Sequence, residues 1–101
     1  MARYAELHAH SGFSFLDGAS DPEDLVAEAA RLELSGLALT DHGCLFGAWS
    51  FQKEAKKAGL KPIIGMEAYV APGDRRDKSR GGQGEKAYYH LVLLEIGRAH
   101  V

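Results

Sequence analysis

Two histidines two residues apart, His8 and His10, close the short apolar run that begins at Tyr4. On an extended segment alternate residues share a face, so the pair can offer one metal ion two imidazole nitrogens. Asp17 and the couple Asp41-His42 fall where strands would end, and Glu67 and His90 fall within apolar runs. Any one of these histidines reads most simply as a surface imidazole. With two carboxylates placed after apolar runs, the set reads as one site. Mixed nitrogen and oxygen donors suit Zn2+, Mn2+ or Fe2+, whereas all-oxygen shells suit Mg2+ or Ca2+. Asp17, Glu67 and, as a further candidate, Asp41 are more carboxylates than one tetrahedral zinc needs. Two or three ions with a bridging carboxylate account for them better. Ions about 3.5–4 Å apart can activate a water and hold the oxygens of a phosphodiester in line. The same donors would also suit amide hydrolysis. Asp41 has a second reading as the cap of the helix that follows it. Cys44 reads as a small buried filler, Trp49 as packing, and His100 carries no assignment.

These groups need strands to carry them and helices to brace the strands. Ala5-Glu6-Leu7 reads as a strand running into the histidines, followed by a loop over 11–18 whose aromatics are expected to pack beneath the site. A helix starts at Ser20 or Asp21, with Pro22 at its first turn and Glu23 placed to close a capping box on Ser20. Leu25, Ala29 and Leu32 form its apolar stripe, and Gly36 supplies its stop or the turn beyond it. Leu37-Ala38-Leu39-Thr40 is a short strand without polar alternation, as in buried parallel sheets. A second helix covers about Leu45 to Ala58, with Ala48, Phe51, Ala55 and Ala58 inward and Gly59 as terminator. Pro62, lacking a donor, opens a strand that runs to Val70. From Ala71 to Lys86 glycine, proline and charge predict a flexible surface loop. Arg75, Arg76, Lys78 and Arg80 could touch nucleic acid there, but interspersed acids favour a solvated loop. Tyr88 to Leu94 returns as a strand. The alternation points to an α/β fold with a parallel sheet built on right-handed crossovers, and four strands are too few to close a barrel.

At 101 residues the chain makes one small domain at most, with 46% hydrophobic residues and a formal charge of −2 from 12 basic and 14 acidic groups. That balance argues against a general phosphate-backbone binder. Cys44, the lone cysteine, excludes an internal disulfide and fits a reducing compartment. Neither a secretory signal nor an apolar run near the ~20 residues needed to cross a bilayer is present, so the expectation is a cytoplasmic protein with no membrane partner. No glycine-rich dinucleotide or phosphate loop occurs.

Three stretches are specific enough to carry a resemblance: residues 6–18 with His8-Ala9-His10, residues 39–48 with Thr40-Asp41-His42-Gly43, and residues 61–70 with Gly65-Met66-Glu67. Together with Ala71-Pro72-Gly73, Asp77-Lys78 and Lys86 to Leu91, they closely resemble the PHP (polymerase and histidinol phosphatase) domain that begins bacterial DNA polymerase III alpha subunits. The resemblance covers roughly residues 4 to 94. It implies the N-terminal part of a distorted seven-stranded βα barrel, incomplete in this chain, within a DNA-replicating polymerase. It further implies the metal ligands His8, His10, Asp17, His42, Glu67 and His90, with Asp41 beside them. His8, His10, Asp17 and Glu67 would act in catalysis through a metal-activated water, on two or three ions, Zn2+ or Mn2+ first. Some family members use the cluster for 3′–5′ exonuclease proofreading, and others keep the domain only as support for the polymerase. The implied partners are the 3′ end of a DNA strand and other replisome subunits. Alternatives are a free-standing PHP phosphoesterase and a non-catalytic support domain. The family completes the cluster with a histidine, a cysteine and an Asp-x-His pair from later strands, absent here, so the chain alone is expected to be inactive. Cys44 stands where the family usually has asparagine. After Leu94 the family continues differently, and residues 95–101 resemble the translated read-through of a sequencing adapter. Residues 1–94 are therefore expected to be the domain part and 95–101 a non-native tail.

Overall fold

The computed structural model describes residues 3–77 and 88–96. In chain order the elements are β1 (Ala5–Ala9), α1 (Pro22–Arg31), β2 (Gly36–Leu39), α2 (Ala48–Lys57), β3 (Lys61–Val70) and β4 (Tyr89–Leu94). The four strands form one curled sheet in the order β1-β2-β3-β4, a half-barrel of α/β type. β1 pairs with β2, and β2 with β3, in parallel. Each of those links is a βα crossover, as the sequence predicts.

The fourth strand departs from the expected parallel sheet. β4 runs antiparallel to β3, with Tyr69 opposite His90 and Gly65 opposite Leu94. A parallel return would need a crossover element, and no helix follows β3 before residue 78. The reversal has a consequence for the site. His90 enters at the start of β4, so it reaches the same sheet end as the carboxyl ends of β1, β2 and β3.

The core lies between the sheet and the two helices, where α1 packs on β2, α2 on β3, and the helices on each other. Val26, Ala29, Leu37, Leu39, Phe51, Ala55 and Leu60 are buried there, with Leu25, Leu34, Ile64 and Ala9 at its margin. Burying such side chains is the main force holding the sheet end in place.

Both helices end in the same way. The residue after each C-cap adopts a left-handed conformation, Glu33 at φ 57° and Gly59 at φ 73°. The next amide bonds back into the helix, Leu34 N–H to Ala29 at 3.0 Å and Leu60 N–H to Ala55 at 2.9 Å. Gly59 is the expected terminator. Gly36 is neither the stop nor part of the turn beyond it: α1 ends at Arg31, Leu32 and Glu33 make the turn, and Gly36 is buried at the start of β2. Leu32, expected in the apolar stripe, is the C-cap of α1 and is exposed. Asp21 is the N-cap with Pro22 at the first turn, but no side-chain cap bond forms, so the capping box with Ser20 is absent. Helix α2 begins at Ala48 rather than Leu45, and Ala58 is exposed beyond its last turn.

Trp49 is exposed rather than packed. It lies two residues from the buried Phe51, about 200° around the helix at 3.6 residues per turn. The aromatics of the 11–18 loop also face outward, Phe15 most of all, because Ser11 and Ser14 fill the space beneath. Of the expected flexible loop, residues 78–86 lie outside the described residues, with Lys78 and Arg80. Arg76 is held by Asp74 at 2.7 Å. Of the expected tail, 97–101 and His100 also lie outside them, while Glu95 N–H bonds the Ile64 carbonyl at 2.8 Å. No helix among the described residues is long and apolar enough to cross a membrane.

Candidate metal centre

Glu67 sits near the centre of the sheet end, its residue only 5% exposed. The backbone fixes it there. Its N–H bonds the Asp41 carbonyl and its own carbonyl accepts from Gly43 N–H, each at 3.0 Å. These bonds form an isolated parallel bridge between His42 and Glu67, which carries the β2–β3 pairing past the end of β2. Thr40 N–H likewise bonds the Ala9 carbonyl at 2.8 Å, which ties the segment before His10 to the segment before His42.

Four imidazoles surround the Glu67 carboxylate, and its two oxygens face different pairs. Oε1 makes a short contact with His8 Nε2 and lies 3.5 Å from His10 Nε2. Oε2 lies 2.8 Å from His42 Nδ1 and 3.8 Å from His90 Nδ1. Asp17 closes the ring from the loop, with Oδ2 at 2.7 Å from His10 Nδ1 and 2.8 Å from His42 Nε2. Three overlapping triads result: His8, His10 and Glu67; His10, Asp17 and His42; His42, Glu67 and His90. In each, the donor atoms lie within 4.8 Å of one another.

The structure thus brings together His8, His10, Asp17, His42, Glu67 and His90. Asp41 enters none of the triads. Its oxygens accept hydrogen bonds from Ser11 N–H, Ser11 Oγ and Ser14 Oγ, all at 2.7 Å. Nor does it cap α2, whose N-cap is Gly47 without a side-chain bond. Cys44 stays outside the triads, its sulfur 3.9 Å from the Phe13 carbonyl.

Electrostatics favour ionised carboxylates. Burial is the largest single influence on Glu67 and favours its neutral form. The hydrogen bond from His8 and the charges of His42, His10 and His8 together outweigh it, so the carboxyl ionises below its usual range. Hydrogen bonds from His42 and then His10 hold the Asp17 carboxyl below its usual range too.

A divalent ion fits this donor set on one structural ground in particular. His10 Nε2 and His42 Nδ1 are buried with no hydrogen-bond partner. His42 Nδ1 has a carboxylate oxygen at 2.8 Å, yet the two are not aligned for a hydrogen bond. Nitrogen and oxygen lone pairs this close, without a proton directed between them, match two donors aimed at a shared cation.

Beside the cluster opens a cavity of about 320 Å3, lined by Asp17, His42 and His90 together with Phe15, Tyr69 and Tyr88. Sequence reasoning missed the buried pair Ser11 and Ser14 and the aromatic wall of Tyr69 and Tyr88. Serine spacing carries no signal of burial, and tyrosines within strands read as ordinary sheet residues.

The comparisons agree with the geometry. The chain is 52% identical over 93 residues to the DNA polymerase III subunit alpha of Borreliella burgdorferi, covering 92% of this chain and 8% of that protein. It is 51% identical over 96 residues to the subunit of the same name from Treponema pallidum, covering 93% of this chain and 8% of that one. The chain therefore spans less than a tenth of these relatives. A crystal structure of a putative metal-dependent phosphoesterase from Bifidobacterium adolescentis superposes with a TM-score of 0.64 and 30% identity, covering 76% of this chain and 26% of that one. The PHP domain family matches residues 6–100, and the chain belongs to that family.

Proposed function

We propose that the chain is the N-terminal PHP segment of a DNA polymerase III alpha subunit and that its cluster serves phosphodiester hydrolysis, as a 3′–5′ exonuclease, in the full-length protein. The observation that carries the reading is the pair of buried, unpartnered imidazole nitrogens beside a carboxylate whose two oxygens face different histidine pairs. His8, His10 and Glu67 would hold one ion, His42, Glu67 and His90 a second, and His10, Asp17 and His42 a third. Zn2+ and Mn2+ suit these donors best. When bound, such ions supply Lewis acidity, lowering the pKa of an attacking water and neutralising charge on the phosphodiester oxygens. The chain's own residues fix the donors: His42 beside Glu67 by the backbone bridge, and Glu67 ionised by its histidines.

The DNA 3′ end and other replisome subunits are the partners this reading implies, with the cytoplasm as its compartment and residues 1–94 as its PHP segment. The alpha-subunit assignment draws support from the 52% identity to the Borreliella burgdorferi protein. A free-standing phosphoesterase is the second reading, favoured by the likeness to the Bifidobacterium adolescentis structure. A non-catalytic support domain is the third.

Metal analysis and exonuclease assay of the full-length parent separate them. Bound metal with 3′–5′ activity lost on His8→Ala or Glu67→Ala supports the proposal. A protein without metal or activity is a support domain. An open reading frame that stops within a few hundred residues of Leu94 would assign the chain to a free-standing phosphoesterase.

A further inference from the structure

Of the two buried carboxylates among the described residues, Glu67 belongs to the triads and Asp41 to none. Asp41 nonetheless has demanding surroundings. Oδ1 accepts from Ser11 N–H and Ser14 Oγ, and Oδ2 accepts from Ser11 Oγ, each at 2.7 Å. A carboxylate offers about four acceptor sites, and these three bonds all point beneath the 11–18 loop. Ser14 passes the connection on in two directions. Its hydroxyl oxygen accepts His42 N–H at 3.0 Å, and its carbonyl accepts Asp17 N–H at 3.0 Å. The two residues tied to Ser14 are those whose side chains meet at 2.8 Å, His42 Nε2 with Asp17 Oδ2.

The loop needs such a tether. Leu16, next to Asp17, sits at φ 68° with its side chain fully in solvent. A left-handed leucine costs about 1–2 kcal/mol, and no burial of its own offsets that. Few apolar contacts hold the loop down either, since Phe15 also faces outward.

We infer that Asp41 is a positioning residue: through Ser11 and Ser14 it clamps the 11–18 loop to the end of β2, and so holds Asp17 against His42 and His10 without itself binding an ion. The inference rests on the proposed reading in that Asp17 and His42 are taken as metal donors. The clamp has its own observable.

The test uses the full-length parent as wild type, Asp41→Ala, Asp41→Asn and Ser14→Ala. Mn2+ and Zn2+ affinities are measured by calorimetric titration, and amide hydrogen exchange is followed on the metal-free proteins. Asparagine keeps an oxygen for Ser11 N–H and Ser14 Oγ, and the Ser11 hydroxyl can turn to accept from its amide. It supplies no anionic donor to a metal. Asp41→Ala is expected to weaken metal binding about 10- to 100-fold, the range for groups that orient ligands. Ser14→Ala should weaken it less, and Asp41→Asn should recover most of the wild-type affinity. In the metal-free proteins, Asp17 and Gly18 amides lose protection in Asp41→Ala while the β2–β3 ladder keeps its own. Equal loss of affinity in Asp41→Asn and Asp41→Ala, with the loop amides still protected, would make Asp41 a ligand and overturn the inference. Unchanged protection at Asp17 and Gly18 in Asp41→Ala would overturn it as well. If the wild type binds neither ion, the metal reading fails and the exchange data still decide the clamp. If Asp41→Ala does not fold, Ser14→Ala and Asp41→Asn carry the same comparison.

Discussion

Asp41 and Glu67 are neighbours in the ladder, joined by the bond from Glu67 N–H to the Asp41 carbonyl, and both side chains are buried. Their surroundings differ in kind. Three donors reach Asp41 at ordinary charge-assisted distances, so the protein satisfies that carboxylate by itself. Glu67 meets four imidazoles, and two of the ring nitrogens beside it have no hydrogen-bond partner. A buried polar group without a partner costs about 1–3 kcal/mol, so a fold keeps such a cluster where something outside the chain completes it. Burial alone does not tell a candidate ligand from a structural carboxylate. The unmet valence around it does.

The widest contrast comes from removing each carboxylate in turn. Asp41→Ala leaves three buried donors without an acceptor, each worth about 1–3 kcal/mol, so the metal-free chain should lose at least about 3 kcal/mol in urea unfolding. Glu67→Gln should shift that same midpoint by less than about 1 kcal/mol and lower metal affinity about 100-fold or more, the upper end for groups that merely support ligands. Similar stability losses for both variants would break the contrast.

Two glycines sharpen it, because the tightest contact of each lies on a different side. A Cβ on Gly18 would stand 2.1 Å from the Ser11 carbonyl oxygen, and backbone cannot move aside as a side chain can. Gly18→Ala should therefore open the 11–18 loop, costing about 1–3 kcal/mol as overpacking does, with the β3–β4 ladder intact by amide exchange. A Cβ on Gly65 would stand 2.6 Å from the Leu93 carbonyl oxygen. Gly65→Ala should cost a similar amount, but by prising β4 from β3 and moving His90, with the loop amides unaffected. Loss of protection at both places in either variant would show that the two regions act as one.

How far sequence reaches follows the same division. The six candidate donors announce themselves by residue type and by position at or within the strands, and the structure brings all six together. The helices and strands were legible from apolar periodicity, down to Pro22 at one helix start and Gly59 at the other helix end. Direction and satisfaction were not. Nothing in residues 71–87 says which way the next strand runs, so β4 reads as parallel until its pairing is seen. Glu33 ends α1 in a conformation that sequence assigns to glycine, so the pattern points to Gly36 for the stop or the turn beyond it. Asp41 is the instructive case: beside His42 it has the type and place of a ligand. Only the inward turn of Ser11 and Ser14, a tertiary fact, shows that its oxygens are already engaged.

The smallest effect is expected at Cys44, two residues from His42. Its thiol is half-buried, 3.9 Å from the Phe13 carbonyl and outside every triad. A weak donor to one carbonyl contributes little, and asparagine can supply a stronger one at the same place. Cys44→Asn should thus change unfolding by no more than about 0.5 kcal/mol, the range for substitutions away from a site, and leave metal affinity within about twofold. Loading with Co2+ gives an independent view, since a coordinated thiolate adds a sulfur-to-metal charge-transfer band. A band that vanishes in Cys44→Asn would place sulfur in the cluster. A seventh donor would then come from the segment just past Asp41, which the geometry leaves outside every triad.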